Sequence, residues 1–408
     1  MLSKKEKEKV EIIRCCCKGL ITANDASKRL KISIRQVQRL KAKYRNGISF
    51  LHGNCGKLPS KTLNVFQQQC ILEEYQKSCY KNVNFKHFTE LISDKPFSAS
   101  YTAVSSLLVK NGFVSPKARR KKKKIVHKSR ERRSKFGELI QGDGSPYDWF
   151  DTGDMQCLHV LIDDSTGKLV GLYITENECL DGYFEVTRQM LQKYGTPEAF
   201  YVDGLSIFFG TRQEELTIEE QLKGIEERET QFGKICSVLG VELIHALSPQ
   251  AKGRVERVNQ TLQSRLPVEF AIRNITSVDE ANKFLKEEYM GIFNSQFGVN
   301  ENASSCFVPL PGVVDLDELL SWKTTRKTDS GCCFSLNNVT FRVNGAIINK
   351  TVEILISTRI GIVAKYEDKF FDVTPMNSTK KEITSSNSVE MIIAKFVHFH
   401  TLKNEHVL

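Results

Sequence analysis

Three carboxylates stand in sequence settings suited to holding metal ions. Asp143 follows the apolar stretch ELIQ inside a Gly-Asp-Gly, Asp203 ends the apolar stretch AFYVD before Gly204, and Glu256 lies within SPQAKGRVERVNQTLQSRLP. The first two share the order strand, acid, small residue, which puts a carboxylate where a strand gives way to a site. The third is surrounded by Lys252, Arg254, Arg257 and Arg265, side chains of the kind that touch phosphates. Three clustered carboxylates repel one another unless cations neutralise them. Hard oxygen donors select Mg2+ or Mn2+ over zinc. Two such ions about 4 Å apart activate a water or a 3′-hydroxyl and steady the leaving oxygen during in-line attack on a phosphodiester. Taken alone, Glu256 also reads as an acid favoured by the dipole of a helix start.

Such a site needs elements that position it. FGELIQGDGSPYDWF, CLHVLIDD and KLVGLYIT read as strands, the last two a hairpin across Ser165-Thr166-Gly167. A helix near Gly182 to Tyr194, the strand EAFYVDG, a helix near Thr230 to Gly240 and the strand VELIHA complete β-β-β-α-β-α-β, the order of an α/β ribonuclease H-like core. A last helix starting near Lys252, turning 100° per residue, gathers Val255, Val258, Leu262 and Leu266 into an apolar stripe. Glu256, Asn259 and Gln263 share the neighbouring stripe, at the rim of the sheet. Other acids read as structural: Asp163 and Asp164 belong to turn chemistry, and Glu242 to a strand surface. Asp148, Asp151 and Asp154 flank an aromatic loop that either touches DNA or is solvated. Tyr147 and Trp149 suit either base stacking or packing.

The net charge of +11 is matched by one segment, Lys117 to Lys135, with twelve Lys or Arg and the single acid Glu131. Such a block stays extended and binds polyanions, Arg119, Arg120, Lys121 and Lys122 included; a solubilising linker or a localisation tag is the plainer reading. Before it, a helix near Asn24 to Leu30, a turn at Lys31 to Ser33 and a helix near Ile34 to Tyr44 have the shape of a DNA-reading helix-turn-helix. The second helix offers Arg35, Gln36, Gln38, Arg39, Lys41 and Lys43, able to contact base edges and phosphates, with Ile34, Val37 and Leu40 for the core. A second helical unit ends on SASYTAVSSLLVKNGFVSP, which suggests tandem DNA-binding modules.

A chain of 408 residues accommodates about two to four domains. The expected division is a helix-turn-helix domain at 1–60, a second helical module at 61–116, a basic linker at 117–136 and the α/β core at 137–300. An acidic insertion at about 208–230 interrupts that core; a linker at 301–330 and a small β-barrel-like domain at 331–408 follow. No apolar run approaches the ~18 residues of a membrane span, and the first residues lack a secretory core, so a cytoplasmic location is expected. The twelve cysteines include no C-x-x-C and are expected to stay reduced. His398-x-His400 lacks the companion ligands of a zinc site.

QGDGSPYDWF, LIDDSTGKLVGLYITE, YVDGLSIF, TQFGKICSVLGVELIHALSPQAKGRVERVNQTLQSRLP and DLDELLSWK resemble the bacterial insertion-sequence transposases grouped as ISNCY, within the DDE transposase and retroviral integrase superfamily. The resemblance runs over nearly the whole chain. It implies a ribonuclease H-like core whose catalytic, metal-binding triad is Asp143, Asp203 and Glu256, with two Mg2+ or Mn2+ ions. It also implies DNA as the partner, through terminal inverted repeats and a target, and a homodimer or higher multimer in the nucleoid. Asp203 and Glu256 are farther apart than in many members of the superfamily. Gln263 stands where some insertion-sequence families have a basic residue, which leaves Arg265 or Lys252 for a phosphate contact. A catalytically silent DNA-binding regulator, and a nuclease without strand transfer, are the competing functions.

Overall fold

The computed structural model describes residues 4–48, 50, 62–116, 131–210, 229–246, 253–299, 302–376, 391–393 and 395–396. The chain divides into two compact units, Met1–Gln69 and Cys70–Leu408. Most of the acidic insertion, the basic residues Arg119, Arg120, Lys121 and Lys122, Lys252 and the His398-x-His400 pair lie outside the described residues.

The first unit holds α1 (Lys4–Cys17), α2 (Ala23–Leu30) and α3 (Ile34–Arg45). Thr22 and Asp25 form a capping box at the start of α2, and the Ser33 hydroxyl accepts from the Gln36 amide to start α3. Each such cap satisfies backbone donors that a helix start leaves open. Lys31 takes a left-handed conformation that ends α2 and turns the chain into α3. Ile13, Cys16, Ala26 and Val37 form the buried core, with Leu40 and Tyr44 packed against it. The inward stripe of α3 is therefore Val37, Leu40 and Tyr44. Ile34, expected inside, is 46% exposed, because it sits at the first turn, beyond the reach of α1.

In the second unit, helices α5 (Phe85–Leu91) and α6 (Tyr101–Lys110) follow α4 (Val65–Tyr75), whose last turns also belong here. Tyr75 meets Phe85, Phe88 and Phe113 edge to face, an aromatic cluster that closes this small layer.

The α/β core is one five-stranded sheet of order β3-β2-β1-β4-β5. Strands β1 (Ile140–Tyr147), β2 (Gln156–Asp163) and β3 (Leu169–Thr175) form an antiparallel meander, and β4 (Ala199–Val202) and β5 (Glu242–His245) continue it in parallel with β1. Strand alternation sorts β2 to two faces. Leu161 joins a core with α7 (Leu180–Lys193) and α8 (Gln231–Leu239). Leu158, Val160 and Ile162 join the opposite core, with α9 (Gly253–Gln263), α10 (Leu266–Arg273), α11 (Val278–Phe284) and α12 (Met290–Phe297). Helix α9 stops at Gln263, short of Leu266, because Pro267 opens α10 and cannot continue the earlier ladder.

After α13 (Leu316–Leu319) comes an antiparallel, nearly closed six-stranded sheet of order β6-β9-β10-β11-β8-β7. Its strands are β6 (Trp322–Lys327), β7 (Cys333–Leu336), β8 (Val339–Val343), β9 (Thr351–Ser357), β10 (Gly361–Tyr366) and β11 (Lys369–Pro375). β6 thus falls within the stretch 301–330 read as linker from the sequence. Among the described residues no helix is long and apolar enough to cross a membrane.

Candidate active site

Helix α9 lies along β1 in the same direction, and amides link them at regular intervals. The Val255 N–H donates to Gln141 Oε1 at 3.4 Å, Asn259 Nδ2 to Asp143 Oδ2 at 2.7 Å, and Gln263 Nε2 to Ser145 Oγ at 3.0 Å. Each step is four residues of helix against two of strand, about 6 Å against about 6.6 Å, so the two elements stay matched over three contacts. On the other side of β1, Ile140 pairs with Phe200 and Gln141 with Tyr201 in parallel register. Two residues further along both chains stand Asp143, still within β1, and Asp203, just past the end of β4 at Val202. Both are half-buried. Glu256 is exposed on the first turn of α9, about 60° around the helix from Asn259.

Two residues without a role in the sequence reading join this region. Val202 pairs with His245 at the end of β5, and a Cβ on Gly204 would lie 2.7 Å from the His245 ring nitrogen, so the imidazole packs directly over Gly204. The Glu178 carboxylate covers Gly144, where a Cβ would lie 2.4 Å from it, and accepts from the Tyr183 hydroxyl. Burial, reinforced by Glu178, pushes the Tyr183 phenol well above its ordinary range.

Among the described residues no three His, Cys, Asp or Glu side chains are grouped closely enough to hold a metal. Asp143 and Asp203 thus each lie two residues beyond a paired position of neighbouring strands, and Glu256 stands on the adjoining helix without joining a tight cluster. The donors on offer are carboxylate oxygens, a set that suits Mg2+ or Mn2+.

The other acids are used by the fold. Asp164, fully buried, accepts from Gln141 Nε2 at 2.6 Å and the Arg133 N–H at 2.8 Å, and is ion-paired with Arg254. Asp163 accepts from the Gly137 N–H at 2.9 Å and from both the N–H and hydroxyl of Thr166 at 2.7 Å; burial holds its carboxyl above the usual range. Arg254, expected to touch DNA, instead ties the start of α9 to the β2–β3 turn. Arg265, also expected to touch DNA, is 7% exposed, pairs with Glu90 at 2.7 Å and stacks on Phe297, clamping α5 to α12. Arg257 is exposed beside Arg132 and Arg254 on a small pocket of about 140 Å³. On α3, Arg35, Gln36, Gln38, Arg39 and Lys43 are exposed and Lys41 is half-buried.

A second buried link joins the helical layer to the core. His87 Nε2 lies 2.8 Å from Glu269 Oε1, and Arg273 also pairs with Glu269. Burial alone would raise the Glu269 carboxyl, but the His87 hydrogen bond and charge and the Arg273 cation outweigh it, and the net shift is downward. Trp149 is fully buried, its ring N–H bonded to the Gln156 carbonyl at 3.1 Å, whereas Tyr147 is exposed. Packing is thus the role of Trp149.

No protein-family model matches the chain. It is 33% identical over 359 residues to the transposase for insertion sequence IS1202 of Streptococcus pneumoniae, covering 80% of this chain and 75% of that one. It is 32% identical over 304 residues to the putative transposase y4bF of Sinorhizobium fredii, covering 73% of this chain and 63% of the relative. Among solved structures, the HTLV-2 integrase catalytic core in complex with magnesium (trimeric form) aligns at 18% identity and a TM-score of 0.29, over 41% of this chain and 93% of that one. A simian T-cell lymphotropic virus intasome chain aligns at 13% identity and a TM-score of 0.31, over 75% and 96%. Superpositions this loose carry no weight for chemistry. The sequence relationship does: the chain belongs to the insertion-sequence transposases.

Proposed function

We propose that this transposase works by DDE chemistry: it binds the terminal inverted repeats of its element, cleaves them to free 3′-hydroxyls, and joins those hydroxyls to target DNA. One observation carries the reading. β1 and α9 run in register so that Asn259 meets Asp143, Asp203 follows the end of the strand paired with β1, and Glu256 stands about one turn before Asn259.

Asp143, Asp203 and Glu256 would hold two Mg2+ or Mn2+ ions. When bound, such ions supply a Lewis acid for the phosphodiester and a more acidic nucleophile. The protein's own part is positional. Asn259 is a neutral donor, so it fixes the Asp143 carboxylate without cancelling its charge. Gln141 and Gln263 hold α9 on β1 to either side, which sets how far Glu256 reaches. Tyr183 and Glu178 support β1 from the opposite face.

The DNA-binding part of the reading rests on chemistry and exposure. The exposed Arg35, Gln36, Gln38, Arg39 and Lys43, with Lys41, suit recognition of the repeats by α3, and 61–116 would act as a second module. The basic segment 117–136 and Arg257 suit phosphate contacts. Two ends must be joined in one reaction, which calls for a multimer, and the substrate places the protein at the bacterial nucleoid. Arg254 and Arg265 are not carried into this proposal, since both are engaged inside the fold.

The test is purified protein with the inverted repeats that flank the gene, with Mg2+ or Mn2+ and with chelator. Metal-dependent 3′-end cleavage followed by joining is the expected result. Binding without cleavage would make the protein a regulator, and cleavage without joining would make it a nuclease.

A further inference from the structure

Beyond Asp143, the same face of β1 leads to a cleft of about 690 Å³ that neither the triad nor the comparisons use. Asp143, Ser145 and Tyr147 alternate onto one face, so Tyr147 stands about 13 Å along the strand from Asp143. Its ring is 37% exposed and rests 5.2 Å from the fully buried ring of Trp149, which fixes it from behind. The floor is apolar, with Phe150 stacked on Phe270 at 5.4 Å. The rim carries the side-chain amides of Asn82, Gln260, Gln263 and Asn274.

Among the described residues its charges argue against a phosphate. One lysine, Lys81, faces two aspartates, and it is paired with Asp151 at 2.8 Å. Asp148 is capped by the Thr152 and Gly153 N–H groups at 3.0 and 2.9 Å, which leaves its negative charge in place. An aromatic platform, an apolar floor and a ring of amides, with no surplus of cations among the described residues, fit a nucleobase: the ring stacks and its polar edge meets amide donors and acceptors.

We propose that this cleft receives an unstacked nucleobase from the DNA end, about 13 Å along β1 from the phosphate at Asp143, with Tyr147 as the stacking surface. The inference rests on the DDE reading for its substrate, yet it concerns binding rather than cleavage. Withdrawing a base costs least where the strand is single or frayed, so the cleft would capture the end as it opens.

The experiment is a scan of 2-aminopurine through the positions adjoining the cleavage point, on duplex ends bound by the full chain, with binding measured separately by mobility shift. One position should brighten several-fold in wild type and equally in Glu256→Gln, which is blocked only in chemistry. Tyr147→Phe should keep the signal, and Tyr147→Ala should lose it. Gln260→Ala, an exposed change that the fold tolerates, should weaken it. Bound DNA that brightens at no position, or brightening that survives Tyr147→Ala, would overturn the proposal. Lost cleavage with brightening intact would count against the DDE reading alone, and a chain that binds no end would overturn both.

Discussion

Asp164 and Asp143 lie at successive stations along the seam between β1 and α9, the first reached by Gln141 and Arg254, the second by Asn259. Asp164 is fully buried and its charge is met by a guanidinium; Asp143 is half-buried and held by a neutral amide. The difference separates two uses of one residue type. A carboxylate neutralised by a cation and filled with N–H donors is part of the frame. A carboxylate oriented by an amide keeps the negative charge that a metal ion needs. One helix supplies both partners, Arg254 before Glu256 and Asn259 after it, so the frame and the site are fixed by the same element.

The sharpest way to break this contrast is Asp143→Asn, expected to lower end cleavage by roughly 10²–10³-fold or more while the unfolding midpoint stays put. Asp164→Ala should do the reverse. It removes the fully buried acceptor shared by Gln141, Arg133 and Arg254, and denaturant unfolding should show a loss of about 3–5 kcal/mol. Asn259→Ala falls between them, since it loosens Asp143 without removing a ligand: a loss of roughly 10–100-fold in metal-dependent rate is expected, with a higher Mg2+ requirement and little change in stability. The smallest effect belongs to the link between His87 and Glu269. Because the folded protein holds the Glu269 carboxyl below its ordinary range, that stabilisation is complete above the unfolded carboxyl's value, about 4.3. It is lost as pH falls through the lowered folded value. A stability profile across the acid range should therefore be flatter for Glu269→Gln than for wild type, and superimposable profiles would remove the link from the account.

Much of the core was legible because its signals are local. The hairpin signal of CLHVLIDD and KLVGLYIT across Ser165-Thr166-Gly167, the apolar runs before Gly204 and in VELIHA, and the short turn at Lys31 to Ser33 placed β1 to β5 and α2 and α3 within a few residues of where they stand. The turn role of Asp163 was legible for the same reason. What was not legible was tertiary. Arg254 and Arg265 read as phosphate contacts because a basic residue near a helix start looks exposed until its acid partner is known. Those partners, Asp164 and Glu90, lie far away in the chain. Asn259 meets Asp143 across 116 residues and His87 meets Glu269 across 182, separations at which no periodicity speaks. Ile34 kept the spacing of a core residue but sits at the end of α3 with nothing above it, which spacing alone does not reveal.

The most direct test of the central claim sets Glu256→Gln beside wild type and measures thermal unfolding, binding to the inverted repeats and Mg2+-dependent 3′-end cleavage on the same preparations. Unchanged unfolding and binding with cleavage abolished is the expected result, since Glu256 is exposed on α9. Cleavage at the wild-type rate would contradict the account and return Glu256 to the role of a helix-start acid.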